Sequence, residues 1–352
     1  MRALTVVPGE RDSLAVVQAP EPEPGPGELL VDGLAVGVCG TDKEIAGGEY
    51  GVAPEGSSRL VLGHESLGRV ARAPQGSGFE PGDLVVGVVR RPDPVPCGAC
   101  AHGEFDMCRN GKYTERGIKG IDGFASERWL VECDYAVKLD PALAGTGVLL
   151  EPTTVVAKAW EQIDKVGSRA WFDPRSVLIT GAGPIGLLAA MIGAQRGLDV
   201  HVLDRVTDGP KPGLVAELGA TYHHEGMAEV ASEVEPDVVI EATGAGALVI
   251  DAMTITGPYG IVCLTGVSSP GRPLRFDAGE VNREVVLEND AIIGSVNANL
   301  NHYRMAAGTL AKADADWLAR LITRKVPLTE FASAFTAGDD DVKVVLDLTG
   351  EA

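Results

Sequence analysis

Residues Ser176 to Thr180 read SVLIT, and Gly181-Ala-Gly183-Pro184-Ile185-Gly186 follows at once. A short apolar strand running straight into G-x-G-x-x-G leaves a chain few options. The first glycine permits a tight turn, the second lets the backbone approach a pyrophosphate, and the third lets the next helix pack closely on the strand. That helix is expected to run to about Arg196. HVLD forms the next strand and ends at Asp204, about twenty residues beyond the glycines, where a carboxylate can accept ribose hydroxyls. A lone G-x-G-x-x-G is weak; with strand, helix and acidic residue in place it marks a dinucleotide-binding unit. Val177 to Gln195 carries no formal charge for 19 positions, long enough to mimic a membrane span. Its glycines, Pro184 and Thr180 read instead as strand, turn and helix.

The alternation starts near Trp171 and continues, with Gly213 to Gly219 as a short helix, DVVIEATG as a strand, GALVIDAMTIT as a helix and GIVCLTG as a strand. This is the pattern of a doubly wound parallel sheet. Residues 1 to about 150 differ: short β-like runs such as ELLVDGLAVGVCG and DLVVGVV are broken by Gly and Pro, which suggests a partly closed barrel or sandwich. At 352 residues the chain exceeds one ordinary core. The expected class is therefore α/β, with a β-rich domain over 1–155, a dinucleotide-binding domain over 156–290 and a segment 291–352. The last strand of that segment, KVVLDLTG, rejoins the first domain because it needs a partner to pair with.

Chemistry is expected where LVLGHESLG places His64 and Glu65 side by side after an apolar run. VGVCGTD puts Cys39, Thr41 and Asp42 at a strand exit, and VLLEP puts Glu151 after another apolar run. A thiolate, an imidazole and carboxylates suit a borderline-soft ion such as zinc. A second set lies at 93–110, where Cys97, Cys100 and Cys108 can converge on one tetrahedral ion, with Asp93 and His102 as candidate fourth ligands. Cys133 and Cys263 sit in apolar runs and are expected to be buried and inert; His223 and His224 are expected to be exposed. The formal net charge of −20 argues against nucleic-acid or anionic-membrane partners. The N-terminus lacks a signal-peptide core, so a cytoplasmic location is expected, and there cysteines serve as ligands or buried thiols before disulfides.

Together these motifs resemble the zinc-dependent medium-chain dehydrogenase/reductase family over essentially the whole chain. Gly111-Lys-Tyr-Thr-Glu-Arg-Gly117, Gly123-Phe-Ala-Ser-Glu127 and Gly294-Ser-Val-Asn-Ala-Asn299 followed by His302-Tyr303 are closer still to its glucose dehydrogenase branch. The resemblance implies a GroES-like β domain carrying the catalytic site and a Rossmann domain inserted near the middle. It carries catalytic zinc ligands onto Cys39, His64 and Glu65 or Glu151, with a water or substrate hydroxyl completing the shell. Thr41 would contact the reacting hydroxyl, and Asp42 would orient His64. Substrate contacts would also come from Glu65, Glu115, Glu151 and His302. Cofactor contacts would come from Gly181, Gly183, Pro184, Ile185, Gly186, Asp204, Arg205, Thr243 and Asn297. A structural zinc would take Asp93, Cys97, Cys100 and Cys108.

Three departures from the family stand out. Pro94 occupies the place of the lobe's first cysteine, Glu151 replaces a cysteine ligand of alcohol dehydrogenases, and Glu44 replaces their proton-relay histidine. The implied reaction is oxidation of an aldose at its anomeric carbon, zinc lowering the pKa of the C1 hydroxyl while hydride passes to the nicotinamide and a lactone leaves. Asp204 favours NAD, and Arg205 leaves room for NADP. The alternatives are a polyol or aminocyclitol dehydrogenase of the same architecture, and a non-enzymatic nucleotide-binding relative. A homodimer or homotetramer is expected from the resemblance.

Overall fold

The structure, a computed structural model, describes residues 1–350 apart from 270, 272 and 339. The chain divides into two compact units, Met1–Glu151 with Ala298–Ala352, and Pro152–Asn297. The sequence places the joins after 155 and 290; in the structure they fall inside the first turn of helix Leu150–Gly167 and past strand Ala291–Gly294.

The first unit is built on a sheet of seven strands. Its spine is the long strand Glu28–Val38, which pairs with Glu65–Arg72 on one side and with Lys343–Asp347 and Arg128–Glu132 on the other. The C-terminal strand thus does pair in the first unit, beside Ile322–Pro327. Alternation along the strands sends Val31, Val36, Val344 and Leu346 into a core closed by Phe124 and Trp129, whose rings meet edge to face at 4.8 Å. A small three-stranded sheet of Arg90–Arg91, Thr114–Arg116 and Gly120–Ile121 brackets the cysteine lobe.

The second unit is a six-stranded, all-parallel sheet. Ser176–Thr180 lies between Asp199–Leu203 and Val238–Glu241, so the chain winds outward both ways from it. All five residues of SVLIT are buried, as a strand covered on both faces requires. The uncharged stretch resolves into this strand and helix Pro184–Gln195, and no helix among the described residues is long and apolar enough to cross a membrane. Two local expectations are corrected. GALVIDAMTIT is helical only over Gly246–Ala252. His223 is not an exposed residue past a helix end: it closes strand Thr221–His223, and its Nε2 meets His201 Nδ1 at 2.9 Å on the adjacent strand. Cys263 is fully buried in strand Ile261–Leu264, whereas Cys133 begins a 3-10 turn and is only partly buried.

The glycines of the loop have separable duties. Gly181 has φ +92°, and a Cβ on Gly186 would stand 1.7 Å from the Gly181 carbonyl oxygen. A Cβ on Gly183 would meet nothing within 4 Å. Gly186→Ala should therefore destabilise the second unit by about 1–3 kcal/mol or more through overpacking. Gly183→Ala should leave its thermal midpoint unchanged while weakening dinucleotide binding. Calorimetry paired with fluorescence titration of NAD and NADP would separate the two outcomes.

Candidate active site

Strand Glu28–Val38 delivers Cys39 to the first turn of helix Gly40–Ala46. Asp42, on that turn, reaches back so that its Oδ2 accepts the Cys39 N–H at 3.0 Å. Its Oδ1 faces His64 Nδ1 at 3.4 Å. The imidazole is thereby turned with Nε2 toward Cys39 Sγ, 3.1 Å away. His64 is not at the end of an apolar strand, as the sequence suggests, but in the turn between Leu60–Val61 and Glu65–Arg72. Gly63 makes that turn at φ +89°, where a Cβ would press on Val36 at 2.7 Å. Glu65 opens the next strand opposite Gly37, and a Cβ on Gly37 would lie 1.8 Å from Glu65 Oε2. The missing side chain of one strand is the space the carboxylate of its neighbour fills. Ligand atoms of Cys39, His64 and Glu65 all lie within 4.8 Å of one another.

Glu151 also departs from its expected setting. It sits in the first turn of the eighteen-residue helix Leu150–Gly167 rather than after a strand; Pro152 is tolerated there because first-turn N–H groups have no helical partner. It is not part of the compact trio among the described residues, yet its charge is felt there. Burial pushes the Glu151 carboxyl up to about 7, Glu65 and Asp42 add to the rise, and His64 and Lys343 partly offset it. For His64, burial alone would lower the imidazole, but Asp42 and Cys39 outweigh it and hold it well above the ordinary range. Asp42 is buried too, which opposes ionisation; His64 and the Cys39 N–H still hold it below the usual carboxylate value. The pocket is crowded with acidic groups, and positive charge offsets their mutual repulsion. Part of that charge is Lys343, 1% exposed, whose Nζ contacts both oxygens of Glu65 and donates to the Val38 carbonyl at 3.4 Å. The rest suits a dication, and a sulfur, nitrogen and oxygen donor set held by Asp42 behind the imidazole suits zinc.

The remaining site residues of the first unit fall in separate places. Thr41 is partly buried on helix Gly40–Ala46, two residues beyond Cys39. Glu115 is buried on strand Thr114–Arg116, where Oε1 accepts from Arg90 Nε at 3.1 Å and Nη2 at 2.9 Å. His302 is buried at the start of helix Leu300–Leu310, and its Nδ1 accepts the Asn299 N–H at 3.1 Å. In the neutral ring this leaves the proton on Nε2, which makes that nitrogen a donor. In the lobe, Cys97, Cys100 and Cys108 converge within 4.8 Å, with neither Asp93 nor His102 in the group. His102 is exposed, its Nδ1 2.7 Å from the Gly98 carbonyl. Asp93 is buried with Oδ1 accepting from Val95 N–H at 2.8 Å, while its Oδ2 has no hydrogen-bond partner. Backbone N–H groups of Arg109 and Cys100 lower the Cys97 thiol to about 6, a thiol ready to act as thiolate.

In the second unit the loop after SVLIT is an anion cradle. Gly183 caps helix Pro184–Gln195 without any side-chain bond to the first-turn amides, Pro184 stands at the first turn, and Ile185 and Gly186 follow within it. Asp204 tightens the loop: its Oδ2 accepts Ala182 N–H at 2.6 Å and lies 3.3 Å from Lys211 Nζ. Burial opposes its ionisation, but the Ala182 and Val206 N–H groups and Lys211 hold it below the ordinary carboxylate range. Arg205 beside it is exposed. Thr243 N–H donates to Glu241 at 2.8 Å, and a Cβ on Gly181 would touch Thr243 at 2.8 Å. Asn297 has φ +62° at the end of the unit. Sequence reasoning missed Lys343, Arg90, Lys211 and Glu241. Only Glu241 left a signal, a carboxylate closing the apolar run DVVIE; Lys343 and Arg90 owe their roles to partners far away in sequence, and Lys211 to the turn that brings it back over Asp204.

A β-rich unit with a clustered cysteine, histidine and glutamate, joined to a doubly wound sheet with a glycine-rich strand-to-helix loop, defines the medium-chain dehydrogenase class. Residues 25–141 match the model of the alcohol dehydrogenase GroES-like domain, and 144–348 match that of the glucose dehydrogenase C-terminus. The chain is 42% identical to glucose 1-dehydrogenase of Thermoproteus tenax, over 99% of both chains. It is 39% identical to glucose 1-dehydrogenase of Halobacterium salinarum, over 98% of this chain and 99% of that one. Haloferax mediterranei glucose dehydrogenase, solved with NADP, zinc and gluconolactone, superposes with a TM-score of 0.90 at 36% identity, covering 99% of each chain. The chain belongs to the zinc-dependent medium-chain dehydrogenase/reductase family, in its glucose dehydrogenase branch.

Gly37→Ala tests the strand contact that places Glu65. The added methyl cannot share space with the carboxylate, so the zinc dissociation constant should shift by about 10–100-fold. Chelator competition measures the shift, and circular dichroism checks that the sheet survives.

Proposed function

We propose that the chain oxidises an aldose such as D-glucose at its anomeric carbon, with a nicotinamide dinucleotide as acceptor and an aldonolactone as product. The observation that carries this reading is the Cys39–His64–Glu65 cluster, with His64 and Glu65 buried and Cys39 partly so, in a chain that aligns end to end with glucose dehydrogenases. Cys39 and His64 would hold zinc with Glu65 or Glu151 as its carboxylate ligand, and a water or the substrate hydroxyl would complete the shell. When bound, the ion acts as a Lewis acid that lowers the pKa of the substrate hydroxyl, and the nicotinamide takes up the hydride.

The chain's own residues do the rest. Thr41 orients the reacting hydroxyl. Glu115, fixed by Arg90, accepts hydrogen bonds from sugar hydroxyls, and His302 donates from Nε2. Asp42 keeps His64 in the tautomer that presents Nε2. Gly181, Gly183, Pro184, Ile185 and Gly186 cradle the pyrophosphate, with Thr243 and Asn297 as further contacts. Asp204 accepts ribose hydroxyls, which favours NAD; the cations of Arg205 and Lys211 beside it leave NADP usable. A structural zinc would sit on Cys97, Cys100 and Cys108, and the orphaned buried Oδ2 makes Asp93 a better fourth ligand than His102. A cytoplasmic location agrees with six free cysteines.

A homodimer or homotetramer is supported by the second unit. Strand Ala291–Gly294 is the outer strand of its sheet, helix Ala278–Leu287 has no buried residue, and Phe276, Val286 and Leu287 are 53%, 61% and 58% exposed. A second copy would cover both the edge and the apolar side chains.

Rates on D-glucose, D-galactose, D-xylose and inositols, with NAD and NADP, before and after chelation, test the main reading. Aldose turnover that falls to background on zinc removal is expected. Turnover of inositols without aldoses would point instead to a secondary-alcohol dehydrogenase. Light scattering at micromolar concentration should give a dimer or tetramer that Leu287→Glu splits; a monomeric wild type would refute the interface.

A further inference from the structure

Lys343 opens strand Lys343–Asp347, which pairs through Val344 with Val38, next to the ligand Cys39. Its ammonium is among the largest fully buried side chains of the molecule. A buried ammonium without a partner is strongly disfavoured, because desolvation opposes the charged form. Here both oxygens of Glu65 and the Val38 carbonyl surround it. Glu65 is thus claimed from two sides: by an ammonium of the C-terminal strand, and by whatever cation joins Cys39 and His64. Glu151 is a second carboxylate with electrostatic reach to the same group. Cys39, His64, Glu65 and Glu151 together would make a closed four-ligand shell, the structural rather than the catalytic kind.

We propose that Lys343 is a positioning residue that draws Glu65 away from the metal, so that one coordination position stays open to a substrate hydroxyl. The inference rests on the zinc reading above. Its physics is a competition for one carboxylate. With the ammonium present, Glu65 is satisfied without the metal. With it removed, no other lysine or arginine among the described residues pairs with Glu65, and the metal is the cation left to it. Glu65 then becomes a permanent ligand, and the site gains affinity as it loses access.

The test uses Lys343→Met, a neutral side chain of similar reach, in the full-length protein. Zinc should bind about tenfold more tightly by chelator competition while kcat falls about 10–100-fold. A residue needed only for folding would lower both. Loss of charge repulsion alone would also tighten zinc, so access is read directly: in Co(II)-substituted wild type the visible absorption band should shift on adding azide, and in Lys343→Met it should not. Lys343→Arg should restore the shift, and Glu65→Gln combined with Lys343→Met should reopen the position and recover part of kcat. If Lys343→Met does not fold, these last two variants carry the test. An azide response unchanged in Lys343→Met, or absent from the Glu65→Gln, Lys343→Met pair, overturns the proposal. Because azide is not a sugar, a wild type that responds to azide but turns over no aldose would refute the substrate reading and leave this one standing.

Discussion

Burial of charge is the constraint on which the first unit depends. Four ionisable side chains with at most a few per cent exposure, Asp42, His64, Glu65 and Lys343, cannot coexist unless each has a partner. The partners are arranged as a chain: the Cys39 N–H on Asp42, Asp42 behind His64, His64 against Cys39, and Lys343 on Glu65. Removing one member of such a pair leaves the other's charge uncompensated, which costs far more than the pair contributes. This explains why a strand from the far end of the chain is built into the sheet beside Cys39 and Glu65. It supplies an ammonium where local sequence supplies only acids.

The second unit solves a different problem with backbone instead of charge. A pyrophosphate needs N–H donors at close range, and close range means no side chain in the way. Gly183 leaves that space open, while Gly181 and Gly186 bring the helix onto the strand. Asp204 and Glu241 then tie the loops at the strand ends by accepting backbone N–H groups. The acidic residue that marks the nucleotide motif therefore also braces the loop that carries it. Its charge is shared with Lys211, whose Nζ lies 3.3 Å from Oδ2.

Much of this was legible because it is written locally. SVLIT followed by spaced glycines specifies strand, turn and helix through steric rules that act over a few residues, and the structure has them where the pattern says. The Cys39, His64 and Glu65 trio was recognisable by ligand chemistry. Short apolar runs mislead: VLLEP reads as a strand and is helical, and His64, which reads as a strand end, lies in the turn between two strands. Such runs do not declare their period, because burial on all sides removes the polar face that would show it. His223 was misjudged for a related reason, since its partner His201 lies on a neighbouring strand that the sequence does not pair with it.

By itself, then, the sequence determined the elements whose causes are local: the glycine loop, the metal-capable residues, the alternation of strand and helix, and the acidic surface. Tertiary structure alone decided which charges share a pocket. It brought Lys343 to Glu65, Arg90 to Glu115 and Lys211 to Asp204, and it gave Glu65 its place over Gly37. Those pairings join residues from seven to 278 positions apart through register, strand order and chain reversal, and leave no mark on the composition of either segment.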